Sequence, residues 1–117
     1  MSFKIEEHDS YTLIEATTDR LDMQSASRLK SELVLLSGKA VRNMIIDLTQ
    51  CSYCDSAGIS AILVANRLCR NGLLILAGLQ PNVERIVTVS SFNPPIDIAA
   101  NAAEAKELME QKLSQQN

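Results

Sequence analysis

Apolar residues along this chain change period several times, and each change marks an element. The segments "FKIEEHD" and "YTLIEAT" alternate or cluster apolar positions over strand length, with Asp9-Ser10 as turn material between them, which predicts a β-hairpin. From Asp22 onward, Met23, Ala26, Leu29, Leu33 and Leu36 recur at spacings of three and four. That pattern predicts an amphipathic helix over about 23–37, with Asp22 as N-cap and Gly38 as the stop. "NMIIDLT" is an aliphatic run of the kind found in strands buried on both faces, and predicts a central strand.

"AGISAILVANRLCRNG" is long enough for about four helical turns and is closed by Asn71-Gly72; "LLILAGL" then reads as a second buried strand. Pro81 suits a first helical position, so "PNVERIVTVSSF" predicts a further helix despite its β-branched residues, and "PPIDIA" a short strand. Asn101 to Glu104 resembles a capping box for a last helix that carries Ala105, Leu108, Met109 and Leu113 on one face. A polar tail over about residues 111–117, ending in "SQQN", is expected to fray. A hairpin followed by alternating helices and strands predicts an α/β domain, with a mixed, mostly parallel sheet of four to five strands covered by about four helices.

With 117 residues, the whole of 1–117 is expected to form one domain. The apolar content of 46% and charged content of 21% are those of a folded chain rather than a disordered one. Two Phe, two Tyr and no Trp leave the core to aliphatic residues and provide no platform for stacked bases. The net charge of −3 lacks the basic cluster that phosphate backbones require, so nucleic acid is not an expected partner. No apolar stretch approaches the ~20 residues of a membrane span, and "MSFKIEEHD" lacks a basic region followed by an apolar run. No membrane insertion and a cytoplasmic location are expected. The three cysteines, an odd number, then read as reduced thiols.

The candidate chemistry lies in "TQCSYCDSAG", residues 49–58, where Cys51-x-x-Cys54 runs directly into Asp55-Ser56-Ala57-Gly58. A redox dithiol needs its first thiol at a helix start, yet the helix here is expected after Asp55, which strands Cys51 upstream and sets a carboxylate beside Cys54. For zinc the remaining ligands are Cys69 and His8, and Cys69 shares a core-facing stripe with Ile62 and Ala65. No metal and no cofactor are expected. The serine fares better: Asp55 or Ser56 can cap the helix, and Gly58 permits a close backbone approach. A phosphoserine at a helix start is also favoured by the dipole. The only histidine, His8, lies on a predicted strand with nothing to place it beside Ser56, so enzymatic catalysis is not expected. At 100° per residue, Ser56, Ser60, Leu63, Val64, Arg67 and Asn71 share one side of the helix, opposite Gly58, Ile62, Ala65 and Cys69. Leu63 and Val64 are thus expected as exposed aliphatic residues on a docking face with Ser56 at its edge.

The order "NMIIDLT", "CSYCDSAG", "ISAILVANRLCRNG", "LLILAGL", together with the hairpin and "RLDMQSASRL", resembles the STAS domain, and within it the anti-sigma-factor antagonists of bacterial partner-switching systems. In that family the serine directly after Asp is phosphorylated, which by position is Ser56. Tyr53 and Cys54 hold the family's aromatic and apolar positions, Cys51 an aliphatic one, Asp22 matches the end of its Gly-Glu-Leu-Asp segment, and Ala57 replaces a second hydroxyl residue. The resemblance implies a non-enzymatic switch. Unphosphorylated, it binds an anti-sigma factor with serine kinase activity; the kinase phosphorylates Ser56 and ends the association, and a PP2C-type phosphatase resets it. Asp22, Asp55, Ala57, Gly58, Ser60, Leu63, Val64 and Arg67 would contribute the partner-binding surface. The alternative on the same fold is an accessory subunit of a lipid-transport ABC complex, and a third reading is an oxidoreductase using Cys51 and Cys54.

Overall fold

Strand β4 (Met44–Asp47) runs through the middle of the molecule, and its side chains divide between two cores. The computed structural model describes residues 2–115. Five strands form one sheet in the order β1 (Phe3–Glu7), β2 (Thr12–Ala16), β4, β6 (Leu74–Ala77), β7 (Asp97–Ala99). β1 and β2 pair antiparallel as the predicted hairpin, and every later neighbour is parallel. Successive side chains of a strand point to opposite faces. Met44 and Ile46 therefore join Ile14, Leu74 and Leu76 on one face, whereas Ile45 joins Leu13, Ile75 and Ala77 on the other. Register carries this through the sheet, with Leu13 opposite Ile45 and Ile45 opposite Ile75.

Three helices cover the first face. α1 (Met23–Ser37) contributes Ala26, Leu29, Leu33 and Leu36; α2 (Ser56–Leu68) contributes Ala61, Ile62 and Ala65; α3 (Pro81–Val89) contributes Val83 and Val87. α4 (Ala102–Gln115) covers the second face with Ala105 and Met109, and Leu108 and Leu113 pack beside them. The mixed, mostly parallel sheet and four helices are those the periodicities predict. α3 forms although Val83, Ile86 and Val87 are β-branched, because Val83 and Val87 are buried in the core, which outweighs their weaker helix preference. None of the helices is long and apolar enough to cross a membrane among the described residues.

Two boundaries and one additional sheet differ from the sequence pattern. α2 stops at Leu68 with Cys69 as its C-cap, and Asn71 and Gly72 follow in a turn in which the Gly72 N–H donates to the Cys69 carbonyl at 2.8 Å. α4 continues to Gln115, past the point near 111 where fraying is expected, because Leu113 still packs on the second core; residues 116–117 lie outside the described residues. A further two-stranded parallel sheet, β3 (Arg20–Leu21) with β5 (Tyr53–Cys54), has no counterpart in the predicted elements.

The double burial of β4 sets a stability expectation. Ile45→Ala, which leaves a cavity under α4, should lower the unfolding free energy by about 2–5 kcal/mol, while Val89→Ala, on a 72% exposed side chain, should change it by less than about 0.5 kcal/mol. Urea denaturation followed by far-UV circular dichroism distinguishes the two.

Candidate functional site

The two-stranded sheet has a physical purpose visible in its register. Arg20 lies opposite Tyr53 and Leu21 opposite Cys54, so the residues that follow, Asp22 and Asp55, begin α1 and α2 side by side. Both aspartates act as N-caps. Asp22 Oδ1 accepts the backbone N–H of Gln24 at 3.2 Å and of Ser25 at 3.3 Å, and the Ser25 hydroxyl accepts the Asp22 N–H at 3.0 Å to complete a capping box. Asp55 Oδ1 accepts the N–H of Ala57 at 2.9 Å and of Gly58 at 3.2 Å. The Ser25 N–H in the first place, with Arg20 and Gln24, holds the Asp22 carboxyl below its ordinary value.

Beneath this pair the packing is close. A Cβ on Gly58 would lie 2.5 Å from the Leu21 carbonyl oxygen and 2.7 Å from Cys54 Sγ, so only glycine lets α2 begin this near to β3. The Asp55 N–H donates to that same Leu21 carbonyl at 3.3 Å. Asp19 closes the edge: its carbonyl accepts the Ser52 N–H at 2.8 Å, and its carboxylate accepts the Ser52 hydroxyl at 2.5 Å.

Ser56 is the first residue of α2, directly after the cap, and its side chain is exposed. Asp22 and Asp55 flank it as half-buried groups, and Ser60 and Arg67 continue the same outer side of α2, half-buried and exposed respectively. The remaining four expected docking residues are buried or half-buried, and for Leu63 and Val64 this differs from the expected exposure. Gly58 is buried against Leu21 and Cys54, and Ala57 is half-buried against the core. Leu63 and Val64 are half-buried rather than exposed, because α1 packs along α2 and Val64, on the flank of the helix, leans onto the core. Exposed apolar surface near Ser56 comes instead from Met23, 77% exposed at the start of α1, and from Tyr53, 38% exposed. Sequence reasoning missed Arg20 and Tyr53 as a pair; the guanidinium Cζ sits 4.0 Å from the ring centroid and Nε lies 3.5 Å from Asp22 Oδ2. The signal was the repeated order Arg20-Leu21-Asp22 and Tyr53-Cys54-Asp55, an exposed, a buried and a capping residue before each helix. Asn66 was also missed: it is buried on α2 and donates to the Pro94 carbonyl at 2.8 Å.

The thiols are core groups. Cys51 is fully buried, and its Sγ–H donates to the Tyr53 carbonyl at 3.0 Å. Burial pushes the Cys54 thiol up to about 12, with Cys51 and Asp55 adding to it, and burial alone pushes Cys69 up to about 12. Such thiols stay protonated and poorly nucleophilic, the opposite of a redox-active dithiol. Among the described residues, no group of three or more His, Cys, Asp and Glu side chains is placed to hold a metal ion.

The family model for the STAS domain matches residues 2–105, from β1 into α4. The chain belongs to the STAS domain family. BtrV of Bordetella bronchiseptica, named as a candidate anti-sigma factor antagonist, is 30% identical over 95 residues, which are 80% of this chain and 81% of that one. A variant of RsbS from Moorella thermoacetica superimposes with a TM-score of 0.80 at 20% identity over 97% of this chain and 99% of the other. The anti-sigma factor antagonist SpoIIAA in its unphosphorylated form gives a TM-score of 0.78 at 21% identity over 93% and 96% of the two chains. The Bacillus SpoIIAA in its phosphorylated form gives 0.72 at 20% identity over 90% and 96%. This STAS domain thus has the same fold as RsbS and SpoIIAA, and its helix starts at Asp22 and Asp55 are set by its own hydrogen bonds.

Two outcomes test the site's packing. Gly58→Ala should destabilise the STAS domain by about 1–3 kcal/mol through overpacking against Leu21 and Cys54, whereas Ser56→Ala should stay within about 0.5 kcal/mol; urea midpoints measure both. For the thiols, the unfolded chain ionises near 9.0 while the folded Cys54 and Cys69 hold their protons to about 12. The folded state then binds more protons in that window, so stability should fall as pH rises from 9 towards 12. The fall should be shallower in Cys69→Val, read from urea midpoints at successive pH values.

Proposed function

We propose that this STAS domain is an anti-sigma factor antagonist that works as a phosphorylation-controlled partner switch. Unphosphorylated at Ser56, it binds an anti-sigma factor that is also a serine kinase, and so releases a sigma factor. The observation that carries the reading is the exposed Ser56 hydroxyl at the first position of α2, directly after the capping Asp55 and beside the start of α1. Its membership of a family with BtrV, and its fold likeness to SpoIIAA, which is known in unphosphorylated and phosphorylated forms, support that choice of serine.

The chemistry falls to the partner. In the kinase's site the Ser56 Oγ attacks the γ-phosphorus of ATP, the bond to the β-phosphate oxygen breaks, ADP leaves, and the hydroxyl proton passes to a base of the kinase. The STAS domain contributes an accessible hydroxyl on a rigid helix start. A PP2C-type phosphatase hydrolyses the ester and restores it. Phosphorylation adds about −1.5 to −2 charges at the rim of a surface that already carries Asp22 and Asp55. The first-turn N–H groups and the helix dipole accommodate that charge, so the fold persists. An interface packed around a neutral hydroxyl must desolvate that charge, so binding is lost.

Incubation with the cognate kinase and ATP should label the wild-type protein at Ser56 and leave Ser56→Ala unlabelled, as read by peptide mass spectrometry. Ser56→Asp should weaken capture of the kinase by at least about tenfold in a titration. Labelling at another residue with Ser56 unmodified would overturn the assignment.

A further inference from the structure

Arg20 is the cation carried by the strand pair at the crowded end of the molecule, and Arg28 of α1 lines a cleft beside it. Pairing in register puts Arg20 and Tyr53 on one side of the two-stranded sheet and Leu21 and Cys54 on the other, where both are buried. Asp22 and Asp55, one residue further along each strand, return to the outer side, and Ser56 follows Asp55. The Arg20 side chain points along its strand towards these helix starts, since its Nε lies 3.5 Å from Asp22 Oδ2 while its Cζ covers the Tyr53 ring. Carboxylates crowd the same surface: Asp19, Asp22 and Asp55. Among the described residues, the Arg20–Asp22 contact is the one ion pair at this end; the others join His8 to Glu6, Lys39 to Glu7 and Lys112 to Asp97.

The pair with Asp22 is easily exchanged. It is long, it uses one N–H, and the Arg20 side chain is 56% exposed, the circumstances in which an ion pair contributes little. Asp22 keeps its backbone partners at Gln24 and Ser25 whether or not Arg20 stays. An open cleft of about 330 Å³ on the α1 side of Arg20, lined by Thr18, Asp19, Asp22, Ser25 and Arg28 among others, leaves the guanidinium in contact with solvent, so little packing holds it in its present position. A phosphate dianion offers a planar guanidinium two parallel hydrogen bonds and twice the charge of a carboxylate.

We propose that Arg20 is the intramolecular counter-ion of a phosphate on Ser56, exchanging its contacts with Asp22 and the Tyr53 ring for the phosphate oxygens. This rests on Ser56 being the phosphoacceptor. Phosphorylation then changes the surface twice: it adds the dianion, and it withdraws the guanidinium and uncovers Tyr53. The phosphorylated protein would present a different pattern of charge and aromatic surface rather than the same surface with a phosphate added.

The test places phosphoserine at position 56 of the full chain by genetic encoding, so that no kinase is needed, and follows its second ionisation by ³¹P NMR. Asp19, Asp22 and Asp55 raise that pKa, whereas Arg20, and Arg28 from across the cleft, lower it. In Arg20→Gln it should therefore sit about 0.5 higher than in wild type, and Arg20→Lys should recover part of the difference. Arg70→Gln, at the far end of α2 roughly 20 Å away, should titrate like wild type. Melting curves of the unphosphorylated variants confirm that they fold. Identical titration of wild type and Arg20→Gln overturns the proposal, as does a shift of equal size in Arg70→Gln. Weaker kinase capture by unphosphorylated Arg20→Gln with an unchanged phosphate pKa overturns it too, assigning Arg20 to docking alone. Because the phosphoserine is installed directly, a kinase that leaves Ser56 unlabelled would count against the switch and not against this titration.

Discussion

Two residues of β3 against two of β5 hold the starts of α1 and α2 together, and the rest of the site depends on that pairing. Leu21 and Cys54 point inward from it and fill the space beneath, while the Leu21 carbonyl takes the Asp55 N–H. Gly58 then packs directly onto Leu21 and Cys54 in the first turn of α2, a distance that no side chain would allow. With the backbone fixed so closely, each capping aspartate faces its own helix, and both caps face the same solvent surface. Ser56 is exposed because every inward position around it is already occupied.

The larger sheet sets where this surface lies. β4, buried on both faces, leads through a short loop into β5, so the start of α2 falls at the carboxyl end of the central strand. That is the end of an open α/β sheet at which ligands and partners usually dock. Three helices fill one face and α4 the other, with aliphatic residues doing nearly all the packing. α1 and α2 lie against each other, which shields Val64 and leaves Met23, Tyr53 and Ser56 accessible beside the exposed Asp19 and Arg20.

The thiols and the serine in one ten-residue stretch divide by burial. Cys51 and Cys54 lie where water is excluded, so the charged thiolate is disfavoured and their chemistry is suppressed. Ser56, two residues beyond Cys54, lies at a helix start where added negative charge is favoured. The same local fold that silences the thiols leaves the serine hydroxyl at the surface.

The sequence by itself determined the elements of the main sheet and its helices. Apolar spacing placed the hairpin, α1, the two buried strands and α2, and capping chemistry placed Asp22, Asp55 and Asn101 at or beside helix starts, because periodicity and caps act between near neighbours. It also separated Ser56 from the cysteines, since a helix start and a core stripe are both local patterns. Only the tertiary structure decided which residues share the site. The register of β3 against β5 joins segments about thirty residues apart through two backbone pairs, too short a run for any period to reveal. The exposure of Leu63 and Val64 was likewise set by where α1 lies, and the contact of Arg20 with Tyr53 by the strand pairing. These are contacts across the chain, and their energies depend on which surfaces the fold removes from water together.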